Sequence, residues 1–77
     1  MAVTIYTTPT CVYCKMTKEF FGKHDVAYQE LDVASDTKAR NDMVQKSGQL
    51  GVPVIDIDGQ IVVGFNKQKL SQLLHIA

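Results

Sequence analysis

The only two cysteines of the chain, Cys11 and Cys14, lie where the sequence changes from strand-like to helix-like spacing. An apolar, β-branched run (3–6) and a turn (7–10) precede them, and apolar residues recur at helical spacing after them. The first N–H groups of a helix have no intrahelical partner, so a thiolate at Cys11 is stabilised there. Cys14 lies one helical turn further on the same side, within disulfide reach. The arrangement favours dithiol–disulfide exchange, with Cys11 as the nucleophile and Cys14 as the resolving thiol.

Two other interpretations of the cysteine pair are weaker. A buried structural disulfide is disfavoured, because a strand–turn–helix junction exposes the first cysteine. A tetrahedral zinc site needs four ligands, and neither a second cysteine pair nor a nearby histidine completes one, so we expect no metal. The isolated His24 and His75 are interpreted as exposed or helix-end residues.

Size and charge exclude several functional classes. The 77 residues predict one small domain, 1–77, and an apolar fraction of 45% argues against disorder. Eight basic and eight acidic residues give a net charge of zero, which is atypical of proteins that bind nucleic acids or membrane surfaces. No apolar run approaches the roughly 20 residues of a membrane span, and the N-terminus does not resemble a signal peptide. We therefore expect a cytoplasmic protein, in a reducing compartment where a lone Cys-x-x-Cys serves redox or metal chemistry.

The spacing of apolar residues predicts seven elements in the order β-α-β-α-β-β-α. The predicted strands are residues 3–6, 26–32, 52–57 and 60–63, and the predicted helices are 12–23, about 36–47, and one after residue 66. Ser35 or Asp36 caps the second helix, Gly48 ends it, and Asn66 caps the third. The dipeptide Asp58-Gly59 predicts a tight hairpin.

Each predicted helix has apolar residues at helical spacing, and we interpret Met16 and Met43 as core residues. The three sets are Val12, Tyr13, Met16, Phe20 and Phe21; Ala39, Met43 and Val44; and Leu70, Leu73, Leu74 and Ala77. A helix between the first two strands makes them parallel with a right-handed crossover, whereas the hairpin makes the last two antiparallel. The predicted fold is therefore α/β, with a four-stranded mixed sheet and helices on both faces.

Three further residues near the cysteines each have two interpretations. Lys15 and Lys18 either lie near the thiolate, where they stabilise it or steer anionic substrates, or belong to a solvated helix face. Tyr13 either flanks a substrate groove or packs in the core.

Three sequence elements together resemble the glutaredoxin family. They are Thr-x-Pro-x-Cys-x-x-Cys (7–14), Gly-Val-Pro-Val (51–54), and an Asp-Gly dipeptide followed by Gly-Phe-Asn (64–66), in the order and spacing of the family. The resemblance covers essentially the whole chain. It implies a thioredoxin-like fold, in agreement with the element order, and it implies thiol–disulfide oxidoreductase activity.

The resemblance also implies binding residues for glutathione. Val52 and Pro53 match the cis-proline segment, whose backbone pairs with the cysteine part of glutathione. The turn Gly64, Phe65 and Asn66 matches the segment that holds the γ-glutamyl carboxylate. Arg40 matches a residue that contacts the glycyl carboxylate, and both a helix N-terminus and a guanidinium group suit a carboxylate. Tyr13 completes the predicted substrate-binding set.

Two departures from the family pattern bear on the reductant. Val12 replaces the proline of the common Cys-Pro-Tyr-Cys motif, and Thr8 stands where many glutathione-using members carry Lys or Arg. In addition, Gly64-Phe65 in place of Gly-Gly resembles the glutaredoxin-like redoxins that thioredoxin reductase reduces and that donate electrons to ribonucleotide reductase. The reductant implied is thus either glutathione or a flavoprotein disulfide reductase.

The sequence therefore predicts a monomeric dithiol oxidoreductase that reduces protein or glutathione mixed disulfides, with glutathione as a co-substrate and no tightly bound cofactor. Two alternatives within the family are a reductase-coupled redoxin and a dimer that carries a [2Fe–2S] cluster through Cys11 and glutathione. A redox-inert binding module is the third alternative, and it requires an unreactive Cys11.

Overall fold

The computed structural model describes residues 1–76 and contains seven elements in the predicted order. The strands are β1 (Val3–Thr7), β2 (Gln29–Asp32), β3 (Val54–Ile57) and β4 (Gln60–Val63). The helices are α1 (Val12–Lys23), α2 (Thr37–Ser47) and α3 (Lys67–Leu73). Within these residues, no helix has the length and apolar character needed to cross a bilayer.

The four strands form one mixed sheet in the order β2-β1-β3-β4. Strand β1 pairs with β2 in parallel, and both β1 with β3 and β3 with β4 pair antiparallel. The parallel crossover and the final hairpin are therefore confirmed. Asp58 and Gly59 both have positive φ, 51° and 90°, as a two-residue hairpin turn requires.

Side chains on the two faces of the sheet build two separate core clusters. Because successive strand residues point to opposite faces, Ile5 and Tyr6 belong to different clusters. The Ile5 cluster includes Phe21 of α1 and Leu70 of α3, and the Tyr6 cluster includes Met43 of α2. The predicted arrangement with helices on both faces is thus confirmed, with α1 and α3 on one face and α2 on the other.

The helix ends follow the predicted capping residues. Asp36, rather than Ser35, caps α2 by accepting the N–H of Ala39 at 3.1 Å. Gly48 ends α2 in the left-handed region, with a φ of 73°. Asn66 caps α3 by accepting the N–H of Lys69 at 3.0 Å. On the predicted apolar face of α3, Leu70 is buried and Leu73 and Leu74 are half-buried, whereas Ala77 lies outside the described residues.

The interpretation of Met16 as a core residue was wrong. Val12, Tyr13 and Met16 are 69%, 61% and 42% exposed, so Met16 is not a core residue. The residues of α1 that are buried are Cys14, Thr17, Phe20 and Phe21. At 100° per residue, Val12 and Met16 point away from the side that Cys14 and Thr17 share, and Tyr13 lies in the exposed first turn of α1.

The predicted second and third strands were too long. Residues 26–28 precede β2, because the ladder with β1 begins at Gln29, and the N–H of Val26 is bonded to the carbonyl oxygen of Phe21 at 2.9 Å. Strand β3 begins at Val54, since the preceding Pro53 has no N–H to donate to a ladder.

Candidate active site

Four segments of the chain meet at one edge of the sheet. Because β1 and β2 are parallel, the turn after Thr7 and the loop after Asp32 leave the sheet at the same edge. Strand β3 runs antiparallel to β1, so Pro53, just before β3, lies at this edge too. Strand β4 ends there at Val63, so Gly64 follows at the same edge. The topology therefore brings the cysteine turn, the Val52–Pro53 segment and the turn at 64–66 together.

Cys11 is both a redox residue and the N-cap of α1. Its φ and ψ of −86° and 112° are extended, and its Sγ accepts the backbone N–H of Cys14 at 3.0 Å. A cysteine at this position replaces the usual Ser, Thr, Asp or Asn cap, so the free N–H groups of the helix act on a sulfur atom. That contact stabilises negative charge on the sulfur of Cys11.

The two cysteines form a disulfide and differ in accessibility. Their Cα atoms are 5.2 Å apart. Cys11 is half-buried, whereas Cys14 is only 1% exposed, beneath the first turn of α1. An incoming thiol or disulfide therefore reaches Cys11, and Cys14 is reached through Cys11.

A charged cleft of about 490 Å³ lies on one side of Cys11. Its charged lining residues are Lys15, Lys18, Glu30 and Asp32. Lys18 Nζ lies 2.9 Å from Glu30 Oε2, and the hydroxyl of Thr7 donates to the same oxygen at 2.7 Å. The hydrogen bond from Lys18, and to a smaller extent the one from Thr7, lower the pKa of Glu30 below its usual range.

The two lysines of α1, Lys15 and Lys18, line the cleft beside Cys11. Their roles toward the thiolate or an anionic substrate stay predictions. The charge of Lys18 is paired with Glu30, while Lys15 makes no ion pair within residues 1–76. Glu30 and Asp32 were not predicted as site residues. The signal that points to them is a strand parallel to β1: Asp32 ends this strand at the edge occupied by the cysteine turn, and Glu30 precedes it by two residues on the same strand.

The Val52–Pro53 segment presents backbone groups without partners. The Val52–Pro53 peptide bond is cis, as the resemblance implied. Pro53 is buried, and its carbonyl oxygen accepts the N–H of Gly64 at 2.8 Å. The N–H and C=O of Val52 have no hydrogen-bond partner within residues 1–76. They are free to pair with an extended chain.

The turn at 64–66 lies between α1 and α3. Gly64 has a φ of 79°, which favours glycine. Phe65 is half-buried and makes an edge-on contact with Phe20, with ring centroids 6.0 Å apart. The side-chain oxygen of Asn66 is committed to its role as the cap of α3.

Arg40 and Tyr13 lie apart from the charged cleft. Arg40 is exposed on α2 and lines a shallow cavity of about 580 Å³ with Leu50, beside the loop that leads to Val52. Tyr13 is exposed next to the cysteines and is not a core residue. The binding roles of both residues stay predictions. The exposed His24 and His75 agree with their sequence interpretation.

A polar cluster behind the site joins α2 to the sheet. Lys46 Nζ lies 2.9 Å from both the hydroxyl of Tyr6 and Oδ2 of Asp56. Hydrogen bonds to these two groups, with that to Asp56 the stronger, raise the pKa of Lys46. Burial acts to raise the pKa of Asp56, but Lys46 and the N–H of Gly59 together lower it. The cluster secures α2, and with it the loop before Val52.

Comparison with known proteins points in one direction. Residues 3–62 match the protein-family model described as Glutaredoxin. An uncharacterised glutaredoxin-like 8.6 kDa protein in the rubredoxin operon of Clostridium pasteurianum is 47% identical over 72 residues, covering 94% of this chain and 96% of that protein. The glutaredoxin-like protein NrdH of Lactococcus lactis is 30% identical over 74 residues, covering 92% and 97% of the two chains. The crystal structure of a mutant thioredoxin-like protein superposes with a TM-score of 0.92 at 40% identity, covering 97% and 96%.

Proposed function

The chain belongs to the glutaredoxin family and is a thiol–disulfide oxidoreductase, and we propose that it reduces disulfides in other proteins with Cys11 as the nucleophile. The observation that carries the assignment is the contrast between the two sulfurs. Cys11 is accessible and accepts a helix N–H, whereas Cys14 is buried. Nucleophilic attack from outside therefore begins at Cys11, and Cys14 acts second.

The reaction consists of two exchanges. In the reduced protein, the Cys11 thiolate attacks one sulfur of the substrate disulfide, and the other sulfur leaves as a thiolate that takes up a proton. The Cys14 thiol then loses its proton and attacks the Cys11 sulfur of the mixed disulfide, which releases the second substrate thiol. Two electrons and two protons pass to the substrate, and the Cys11–Cys14 disulfide remains.

The substrate is held by its backbone in this proposal. The free N–H and C=O of Val52 pair with the residue next to the substrate cysteine, as one added residue of extended chain. Tyr13 and Phe65 provide apolar surface on either side. Backbone pairing accepts many sequences, which suits a protein that acts on disulfides in different partners.

The reductant that we propose first is glutathione, in keeping with the family. Its γ-glutamyl carboxylate lies at the turn formed by Gly64, Phe65 and Asn66, and its glycyl carboxylate lies near Arg40. Glutathione acts here as a dissociable co-substrate, and the protein works as a cytoplasmic monomer without a tightly bound cofactor.

A flavoprotein disulfide reductase is the second candidate reductant. Two observations favour it. The relative named NrdH, which is described as glutaredoxin-like, matches this chain over nearly the full length of both proteins. In addition, the charge of Lys18 in the cleft beside Cys11 is paired with Glu30, which leaves less positive charge for a glutathione carboxylate. A carboxylate entering that cleft meets Glu30 and Asp32 as well as Lys15. A redoxin coupled in this way donates electrons to ribonucleotide reductase.

A coupled assay separates the two reductants. NADPH oxidation is followed with a protein disulfide as substrate, once with glutathione and glutathione reductase and once with thioredoxin reductase. We expect activity with at least one system, and none with Cys11→Ser in either. The absence of activity in both systems with the reduced, folded wild type contradicts the proposed function. Visible absorption after anaerobic purification tests the cluster-carrier alternative, since a [2Fe–2S] protein is coloured.

A further inference from the structure

We infer that Gln49 is a positioning residue that holds the Val52 backbone ready for substrate pairing. The inference rests on the proposed function, in which Val52 provides the N–H and C=O that pair with the substrate. Gln49 contacts neither the substrate nor the cysteines. It acts through Gly51, the residue that precedes Val52.

The side-chain amide of Gln49 bonds both backbone groups of Gly51. Its Oε1 accepts the N–H of Gly51 at 2.6 Å, and its Nε2 donates to the carbonyl oxygen of Gly51 at 3.0 Å. The amide thus bonds the N–H and the C=O of Gly51 at once, as a neighbouring strand would do in a sheet. We call this pair of hydrogen bonds between Gln49 and Gly51 the clamp. Neither Gln49 bond lies within a helix or a strand.

Ser47 ties this clamp to the end of α2. Its Oγ lies 2.7 Å from the carbonyl oxygen of Met43 and 3.0 Å from that of Gln49. The Nε2 of Gln49 lies 3.4 Å from the same Oγ. Since Met43 is buried in the core, the clamp is anchored to a rigid part of the fold.

The clamp holds the backbone just before Val52, and the sheet holds the backbone just after it. After Val52, the carbonyl oxygen of Pro53 accepts the N–H of Gly64, and β3 begins at Val54. Before Val52, the Gln49 bonds are the only hydrogen bonds that Gly51 makes within residues 1–76. Without these bonds, the backbone around Val52 is less ordered in the free protein. Substrate binding must then order it, which costs free energy and weakens binding.

Gly51 offers an independent way to break the clamp. A Cβ added at Gly51 comes within 2.6 Å of Gln49 Oε1, and it approaches only the side chain of Gln49. The far end of a flexible side chain moves more readily than backbone, so Gly51→Ala displaces the amide of Gln49. Gly51→Ala and Gln49→Ala are therefore expected to have the same effect by different routes.

The test measures steady-state reduction of a peptide disulfide by wild type, Gln49→Ala, Gly51→Ala and the double variant. Because a neutral hydrogen bond is lost, we expect each single variant to raise KM about 2- to 10-fold and to leave kcat within about twofold. The double variant should be no worse than the single variants, since both break the same clamp. The rate of Cys11 alkylation by a small reagent should not change. Gln72→Ala is the matched control, because Gln72 is an exposed glutamine on α3.

Amide hydrogen exchange gives a readout that does not depend on activity. We expect the N–H of Gly51 to exchange faster in Gln49→Ala, while the N–H groups of β1 stay protected. An unchanged KM in an active Gln49→Ala, or unchanged exchange at Gly51, overturns the positioning role. A fall in kcat and in Cys11 alkylation together also overturns it, because it indicates general damage to the site. An inactive wild type whose Gly51 N–H still depends on Gln49 contradicts the proposed function and leaves the clamp intact as a structural device.

Discussion

The backbone N–H of Cys14 points at the Sγ of Cys11 across 3.0 Å. One contact therefore caps α1 and stabilises the sulfur that an external disulfide reaches first. In the proposed exchange, the resolving cysteine contributes through its backbone to the reactivity of the nucleophile, and its own sulfur stays buried. This division of roles leads to the first prediction.

Alkylation of the reduced protein with a limiting reagent at neutral pH is expected to label Cys11 in preference to Cys14. Cys11 is accessible and carries the helix-stabilised thiolate, whereas Cys14 is buried. Mass mapping of the adduct measures the ratio. Preferential labelling of Cys14 contradicts the assignment of the nucleophile.

The variant Cys14→Ser is expected to complete the first exchange and then accumulate the mixed disulfide, because no resolving thiol is present. Cys11→Ser is expected to be inactive. Non-reducing gels and the coupled assay measure both outcomes. Equal activity of the two variants is incompatible with a two-step exchange.

Arg40→Ala is expected to raise KM for a glutathionylated peptide and to leave the reduction of a protein disulfide nearly unchanged. Arg40 is exposed, so loss of a contact to the glycyl carboxylate costs at most about 1 kcal/mol, or about fivefold in KM. Lys38→Ala, which removes another exposed cation of α2, is the matched control. If KM for glutathione substrates does not change, and thioredoxin reductase reduces the wild type efficiently, the reductase-coupled function is the correct one.

The variant Glu30→Gln is expected to lose less free energy of unfolding in acid than the wild type loses. The folded pKa of Glu30 is lowered by Lys18 and then by Thr7, so its ionised form stabilises the fold above its ordinary pKa of 4.5. That contribution is lost as the pH falls below 4.5 toward the lower folded pKa. Because the two side chains are 33% and 39% exposed, the effect is at most about 1 kcal/mol.

Urea unfolding of Glu30→Gln at pH 7 and pH 3 measures this effect. The wild type should lose more stability between the two pH values than the variant loses. Glu19→Gln, which changes an exposed carboxylate of α1 outside the two ion pairs of residues 1–76, serves as the control. An identical acid loss in wild type and Glu30→Gln shows that the pair contributes nothing measurable.

Lys46→Met is expected to reduce the free energy of unfolding by about 1–3 kcal/mol, because it leaves the buried hydroxyl of Tyr6 without its partner. Tyr6→Phe removes that hydroxyl. The double variant should therefore be more stable than the sum of the single effects predicts, with a coupling of roughly 0.5–3 kcal/mol. Urea unfolding of the four proteins measures the cycle, and effects that add within about 0.3 kcal/mol argue against the contact.

The features that the sequence by itself determined depend on residues close together in the chain. The cap of α2 at Ser35 or Asp36, the cap of α3 at Asn66, the helix end at Gly48 and the hairpin at Asp58-Gly59 each depend on hydrogen bonds or a required φ within a few residues. The bounds of α1 and β4 were predicted for the same reason. The cysteine turn was also predictable, since its chemistry comes from the adjoining helix.

Only the tertiary structure decided features that depend on partners distant in the chain. The start of β2 was set by its ladder with β1, which overrode the alternation that begins at Val26. The exposure of Met16 depended on which face of α1 the sheet contacts, and apolar periodicity alone does not specify that face. Glu30 meets Lys18, and Lys46 meets Tyr6 across 40 residues of chain, because strands and helices pack there. Side-chain contacts of this kind arise from packing between distant elements, so no local pattern in the sequence predicts them.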